Sequence, residues 1–581
     1  PLDAAGGGAL TLNLRPADGS FTLSAEGTIT PGLKPDFAGT ATWRQPPRKT
    51  ESATEADAGQ GDLVMTSKVV ATPSRLLLSD YVVVPDENRA ATRLLGAAEV
   101  TLGPDMSFNA VISGGVLALP PRDATAEAAV EPYELLRLLR ELPLPTVPGI
   151  PGTIGVDIAE LNLRAFSLRN VRLDARAHDG NWTVTRFAGA LPGDTSVMLS
   201  GEVSTTTGRP EFAGRLSVVS QRLDALSTLW RKPAAGNPLF GMPGGIDARI
   251  DLVGDTLSIS DATLDLDSER RSFSAQIGLG ARDLHLTANL GTLDAARSAA
   301  LLALLPDLGS DASFAASFTK GEFKLAAEAM TIGGLEGRSL EAAGSWDGGV
   351  LALDRLAAAD LGGAAFDAKL TAFGSLARPE VSGGATISVA SADAPALKAL
   401  YGALRTSPAM VAFLSRSLPA ELRLQLDAPT GDGAQSLTLS SRLASSAISA
   451  EAQVGAGFLR ALSGPVKVRL DLKSNDTAAM TAQLGFGTAA VFIDGVPLHL
   501  VGVVDGNVAN SLEATMLLEG GGDALGFSGN MVVTNPDAFS GKGTVKAKFA
   551  DASGLVAWLG AGGISLPALS ASGTLTFDGT Q

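Results

Sequence analysis

Val466-Lys467-Val468-Arg469-Leu470-Asp471-Leu472-Lys473 alternates apolar and charged residues without a break. Successive side chains of a strand point to opposite faces, so this segment reads as a β-strand with one apolar face and one wet face. Ile246-Asp247-Ala248-Arg249-Ile250-Asp251-Leu252 and Leu422-Arg423-Leu424-Gln425-Leu426-Asp427 carry the same pattern. Strands of this kind belong to antiparallel sheets solvated on one side. Asp-Gly pairs, which supply the positive φ of tight hairpins, stand between such strands. Asp18-Gly19 separates Leu10-Thr11-Leu12-Asn13-Leu14 from Phe21-Thr22-Leu23-Ser24-Ala25, and Asp179-Gly180 and Asp347-Gly348 hold equivalent places 168 residues apart. Asp505-Gly506 and Asp578-Gly579 are further candidate turns. If most of the chain is strand and turn, it forms a meander of roughly 40 strands.

A second pattern sets the organisation. Lys34-Pro35-Asp36-Phe37-Ala38-Gly39 returns as Arg209-Pro210-Glu211-Phe212-Ala213-Gly214, Arg378-Pro379-Glu380-Val381-Ser382-Gly383 and, with one insertion, Asn535-Pro536-Asp537-Ala538-Phe539-Ser540-Gly541. The prolines lie 175, 169 and 157 residues apart, so the chain is an array of long, unequal repeats. The motif reads as a connector in which Pro ends one strand, the acid favours a turn and Gly admits a bulge or close approach. Ten residues after the glycine, Asp224, Asp393 and Asp551 open short apolar runs and are expected as helix N-caps. The first copy has no such aspartate and runs into a polar linker up to about Gly61. Further short helices are expected over 132–142 and 293–305. The boundaries that follow are a partial first β repeat with its linker at 1–61, then β repeats at 62–245, 246–420 and 421–581.

The 581 residues include 67 glycines and 31 prolines, with 45% apolar, 5% aromatic and 18% charged residues. A chain of this length exceeds what one core sustains, which favours an array. The net charge of −16 opposes nucleic-acid binding, because phosphates call for basic patches. There are no cysteines, so disulfides, thiol catalysis and cysteine-ligated metals are excluded. His178, His285 and His499 lie far apart, none with a partner at metal-ligand spacing, and no nucleophile elbow is present. No catalytic residue, metal site or cofactor is expected, and the protein is read as a non-enzyme. A sheet with one apolar face must cover it by forming a sandwich, closing as a barrel, winding as a helix or curling around a ligand. The alternation alone does not choose, although the hairpins favour a meander over a β-helix.

One region narrows the choice. Gly155-Val156-Asp157-Ile158-Ala159-Glu160-Leu161-Asn162-Leu163, the run from Leu173 through Asp179-Gly180-Asn181-Trp182, Gly189-Ala190-Leu191-Pro192-Gly193 and Val197-Met198-Leu199-Ser200-Gly201 resemble the AsmA-like family of Gram-negative envelope proteins. A looser second copy runs from Leu340 through Trp346-Asp347-Gly348 to Asp360-Leu361-Gly362-Gly363, and the resemblance is clearest from about 152 to 404. It implies a mostly β fold, an elongated antiparallel sheet curled into a U-shaped groove with short helices between repeats. It also implies a periplasmic protein held to the inner membrane by an anchor helix that this chain lacks, with phospholipid as its cargo and outer-membrane or other envelope proteins as partners. The candidate lipid-binding residues are Leu12, Leu14, Phe21, Leu23, Val466, Val468, Leu470 and Leu472. Trp230, Tyr401 and Trp558, in the runs after the motif, are candidate rim aromatics. The alternative is a structural or adhesive β-repeat scaffold without lipid transport.

Overall fold

The computed structural model describes residues 7–46, 61–89, 92–119, 133–142, 145–163, 166–205, 209–227, 241–304, 317–373, 380–404, 408–430, 433–457, 464–486, 491–507, 510–535, 538–557 and 570–580. The protein is mostly β, with thirty strands among these residues. The first fifteen are β1 (Gly8–Leu14), β2 (Thr22–Thr30), β3 (Asp36–Gln45), β4 (Leu63–Thr72), β5 (Arg75–Val84), β6 (Leu94–Thr101), β7 (Ser107–Ala118), β8 (Gly152–Asn162), β9 (Ser167–His178), β10 (Asn181–Leu191), β11 (Thr195–Ser204), β12 (Glu211–Ser220), β13 (Gly244–Val253), β14 (Thr256–Leu266) and β15 (Glu269–Gly278). The rest are β16 (Asp283–Asn289), β17 (Lys320–Ile332), β18 (Leu335–Asp347), β19 (Val350–Leu361), β20 (Ala364–Phe373), β21 (Glu380–Val389), β22 (Ala420–Leu426), β23 (Gln435–Arg442), β24 (Ala447–Val454), β25 (Pro465–Ser474), β26 (Leu498–Asn507), β27 (Ser511–Gly520), β28 (Asp523–Asn535), β29 (Ala538–Phe549) and β30 (Ala571–Thr580). The helices are short: α1 (Glu134–Arg140), α2 (Leu223–Ser227), α3 (Ala295–Leu304), α4 (Pro395–Leu404), α5 (Pro408–Arg416), α6 (Thr477–Leu484) and α7 (Ser553–Val556).

The chain divides into two compact units, 1–288 with 300–318, and 289–299 with 319–581. In the first, β1 to β15 pair each with the next, all antiparallel except β7 with β8. That parallel pair departs from the expected meander, and residues 119–151 make the crossover it needs. In the second unit, β17 to β30 form an unbroken antiparallel ladder. Thirty strands replace the roughly 40 expected, because strands reach thirteen residues and helical segments take the remainder.

Turn chemistry is legible with two shifts. Gly19 sits at φ 65°, and Asp179-Gly180 is a two-residue turn with φ of 50° and 78° between paired His178 and Asn181. At the second site the turn is Gly348-Gly349, with φ of 53° and 92°, and Asp347 still pairs with Val350. A Gly-Gly pair meets the need for two positive φ values more cheaply than Asp-Gly. Asp505-Gly506 and Asp578-Gly579 are strand residues, paired with Glu513 and Leu512 and with Lys542 and Gly541.

The repeated motif opens a strand instead of a turn. Asp36, Glu211 and Glu380 are the first residues of β3, β12 and β21, and the motif glycine follows three residues later inside the strand. Arg378-Pro379 and Pro536-Asp537 lie outside the described residues. Gly39 faces Gly27 and Gly214 faces Gly201 across the ladder. A Cβ on Gly39 would stand 2.2 Å from the Glu26 carbonyl oxygen, and one on Gly214 would stand 2.2 Å from that of Ser200. The Phe37 and Phe212 rings, two residues earlier, lie over these glycines at 2.8 and 2.5 Å from the same imagined Cβ. In its first two copies the motif therefore pinches two strands together under an aromatic lid, a device that bends a sheet.

A second bending device escaped the sequence reading. Asp80, Asn170, Asp261 and Ser339 hold φ between 47° and 51° inside β5, β9, β14 and β18, at intervals of 90, 91 and 78 residues. The ladders beside the first three shift register there. The residue that follows each is buried: Tyr81, Val171, Ala262 and Leu340. Such bulges add local twist and turn the next side chain inward. Asp, Asn and Ser tolerate the left-handed region better than branched residues do. Asp261→Val is thus expected to destabilise the first unit by about 1–2 kcal/mol, whereas Asp261→Gly is near neutral, as read by the urea midpoint.

The expected helices at 132–142 and 293–305 appear as α1 and α3, and α2, α4 and α7 follow β12, β21 and β29. The expected N-caps do not form. Asp224 lies inside the first turn of α2, paired with Arg222 at 2.8 Å. Asp551 accepts the Ser553 N–H at 2.9 Å in a turn ahead of α7, whose N-cap is Ala552, and Asp393 pairs with Lys398 at 3.3 Å. The aspartates that do cap are Asp294, which accepts the Arg297 N–H of α3 at 2.8 Å, and Asp476, which accepts the Ala479 N–H of α6 at 2.8 Å. Helix α6 was not anticipated from the sequence.

Candidate functional site

Following the register from strand to strand defines transverse rungs on the apolar face. In the second unit one rung runs Leu325, Ala342, Leu356, Ala368, Ala385, Leu424, Leu439, Ala450, Leu470, Gly502, Met516, Phe527, Val545, Leu575, one residue from each of fourteen strands. In the first unit a rung runs Leu10, Gly27, Gly39, Val69, Leu78, Ala98, Ala110, Ile154, Ala175, Val184, Gly201, Gly214, Ile250, Ile259, Ala275 across fifteen strands. Neither rung contains a polar or charged side chain. A charge every few strands would be enough to anchor the face in water, and none is there. The path is continuous only at right angles to the strands, where the sequence alone does not display it.

The opposite face of the second unit is water-side. Lys467 pairs with Asp505 at 3.4 Å, Arg355 with Glu341 at 3.2 Å and Lys542 with Asp578 at 3.0 Å, all well exposed. Pairs of this kind contribute little to stability and mainly keep their face solvated.

Burial along one strand separates core from path. On β25 the inward residues Val466, Val468 and Leu470 are half-buried, whereas Leu472 is 1% exposed. Leu472 belongs to a cluster with Met480 of α6, Phe492, Leu498, Leu518 and Phe549, the two rings meeting edge to face at 5.4 Å. Gln483, buried on α6, donates to the Ser417 hydroxyl at 2.6 Å and accepts from Ser446 at 2.8 Å, which pins this cover in place. Similarly, Ala394, Ala396 and Leu397 at the start of α4 pack on Ala364, Val389 and Ile387. Helices in this unit thus cover one end of the strands, and the middle of the apolar face stays half-open. The inner face of a closed sandwich would be dry.

The candidate residues fall into two groups, one in each unit. Leu12 and Leu14 of β1 are 46% and 47% exposed on the apolar side, and Leu14 pairs with Leu23 of β2. Phe21 stacks on Trp43 at 4.0 Å with an 11° interplanar angle, forming an aromatic step beside them. Val466, Val468 and Leu470 lie on the half-open face of β25, while Leu472 is core. Tyr401 sits half-buried on α4, and its hydroxyl has no hydrogen-bond partner among the described residues. Trp230 and Trp558 lie outside the described residues.

The three histidines sit on different strands. His178 and Asp179 are 3.1 Å apart at an exposed hairpin, and His285 lies 3.8 Å from Asp283. His499 Nε2 is 3.0 Å from Asp471 on the water-side face. That hydrogen bond, aided by Lys473, holds Asp471 below its ordinary value of 3.8. Its folded-state pKa is depressed, so the stabilisation is present above the unfolded value and lost as pH falls through the folded one. Asp471→Asn is expected to lower stability at neutral pH and to match the parent once both are acidified below that range, in urea titrations at a series of pH values. Among the described residues no three His, Asp or Glu side chains are grouped to hold a metal, and no helix is long and apolar enough to cross a membrane. Comparison with family models, with curated proteins and with solved structures finds no match to this chain, so the apolar rungs themselves carry the functional argument.

Proposed function

We propose that the protein binds phospholipid acyl chains along the apolar face of its sheet and conducts them through the periplasm between inner and outer membranes, supporting the outer membrane. The observation that carries this reading is the pair of rungs free of polar side chains, half-open over most of their length. Hydrocarbon sheltered there gains about 0.8 kcal/mol per buried CH₂ while the head group stays in water. Neighbouring rungs are chemically alike, so an acyl chain meets no deep trap as it slides from strand to strand. The resemblance to AsmA-like proteins agrees with this reading and supplies its envelope setting, including attachment to the inner membrane. Such a conductor needs no catalytic residue, and direction comes from lipid supply or from envelope partners. Mass spectrometry of solvent extracts from protein purified without detergent tests it: phospholipid at about one or more molecules per chain is expected. A lipid-free extract would favour the alternative of a β-repeat scaffold.

A further inference from the structure

Helix α1 lies over part of the first unit's apolar face. It belongs to the crossover between the parallel strands β7 and β8, yet it packs well away from them in the sheet order: Leu136 and Leu139 rest against Leu252, Leu257 and Leu279, with Ile250 and Ile259 alongside. Ile250 and Ile259 are members of the first unit's uninterrupted apolar rung. The helix is only partly covered, although Tyr133 ahead of it is buried edge to face against Phe318 at 5.6 Å. Leu135 is 43% exposed and Leu142, just beyond the helix, is 44% exposed; the residue ahead of the helix, Tyr133, holds φ 68° and gives no side-chain cap. Seven residues are too few to hold a helix unaided in water, so α1 is helical only while docked.

Resting on the lipid-conducting reading above, we propose that α1 is an internal occupant of the acyl path, a gate that an incoming acyl chain displaces from β13 and β14. Leu136 and Leu139 present hydrocarbon to Leu252 and Leu257, two residues along the strands from the rung, as an acyl chain lying there would. Displacement exchanges one apolar contact for another, and the uncapped helix melts as it leaves.

The full chain is incubated with phosphatidylglycerol–phosphatidylethanolamine vesicles carrying a diazirine on one acyl chain, irradiated and mapped by peptide mass spectrometry. The parent is expected to label strongly over 466–504 and weakly over 250–277. In Leu136→Ser/Leu139→Ser, labelling over 250–277 should rise at least fivefold with 466–504 unchanged. Equal labelling over 250–277 in both proteins, with 466–504 labelled, overturns the gate and leaves the lipid reading standing. Absence of label from both regions in both proteins overturns the lipid reading and the gate with it. Hydrogen exchange on the unmodified chain gives a measure independent of the variant's folding: the amides of 136–140 should exchange at least tenfold faster with vesicles present, and unchanged protection overturns the gate.

Discussion

Val468→Asp combined with Leu470→Asp should reduce co-purified phospholipid at least tenfold while leaving the strand ladder in place. Both side chains are half-buried on the open stretch of β25, so a carboxylate at either remains partly hydrated, and the cost to folding is about 1–2 kcal/mol each. For hydrocarbon the effect is far larger, because two charges now interrupt adjacent rungs that otherwise contain none, and an acyl chain lying over them would have to desolvate both. Leu472→Asp is the contrasting substitution. It lies on the same face two residues on, yet at 1% exposure beneath α6 it would bury an unpaired charge and is expected to unfold this region, losing about 3–5 kcal/mol. Lipid quantitation together with hydrogen exchange over β24 to β26 distinguishes the two outcomes. Retained lipid in the double variant would remove this face from the path.

Gly201→Val is expected to destabilise the first unit strongly. A Cβ there stands 2.3 Å from the Ala213 carbonyl oxygen and 2.6 Å from the Gly214 Cα, distances that only separation of β11 from β12 can relieve. The loss is about 3 kcal/mol or more, with amide protection falling across β10 to β13. Gly115→Ala provides the control: its Cβ would meet nothing within 4 Å, and removing a flexible residue from β7 should be neutral or slightly stabilising. If Gly201→Val matches Gly115→Ala, the close approach of the glycine pair is not what shapes this sheet.

These two predictions mark what was legible in the sequence. Alternation placed β13, β22 and β25, because each has a consistent wet face, and Asp-Gly pairs placed the first hairpins. It could not place the left-handed residues Asp80, Asn170, Asp261 and Ser339 inside their strands. A bulge consumes one residue of the alternation, so Leu257-Ser258-Ile259-Ser260-Asp261-Ala262-Thr263-Leu264 looks like a fault in a strand when it is a bend within one. The spacing of 90, 91 and 78 residues, about half that of the proline motif, was the available signal. The parallel pairing of β7 with β8 was hidden because pairing direction depends on a distant crossover and not on either strand's own residues. The division of one apolar face into path and core was hidden for a similar reason. Val468, Leu470 and Leu472 are equivalent by pattern, and only α6, with Asp476 capping it and Gln483 pinning it, makes the third a core residue. The motif glycines were read correctly as points of close approach, but inside strands and not between them.

The central claim is that lipid occupies one face of the sheet and not the other, and site-specific photocrosslinking along β25 tests it most directly. A benzophenone amino acid placed singly at Val468 or Leu470 should crosslink phospholipid from vesicles, and the same probe at Lys467 or Arg469 should not. Equal crosslinking at all four positions, or none at Val468 and Leu470, would contradict the account.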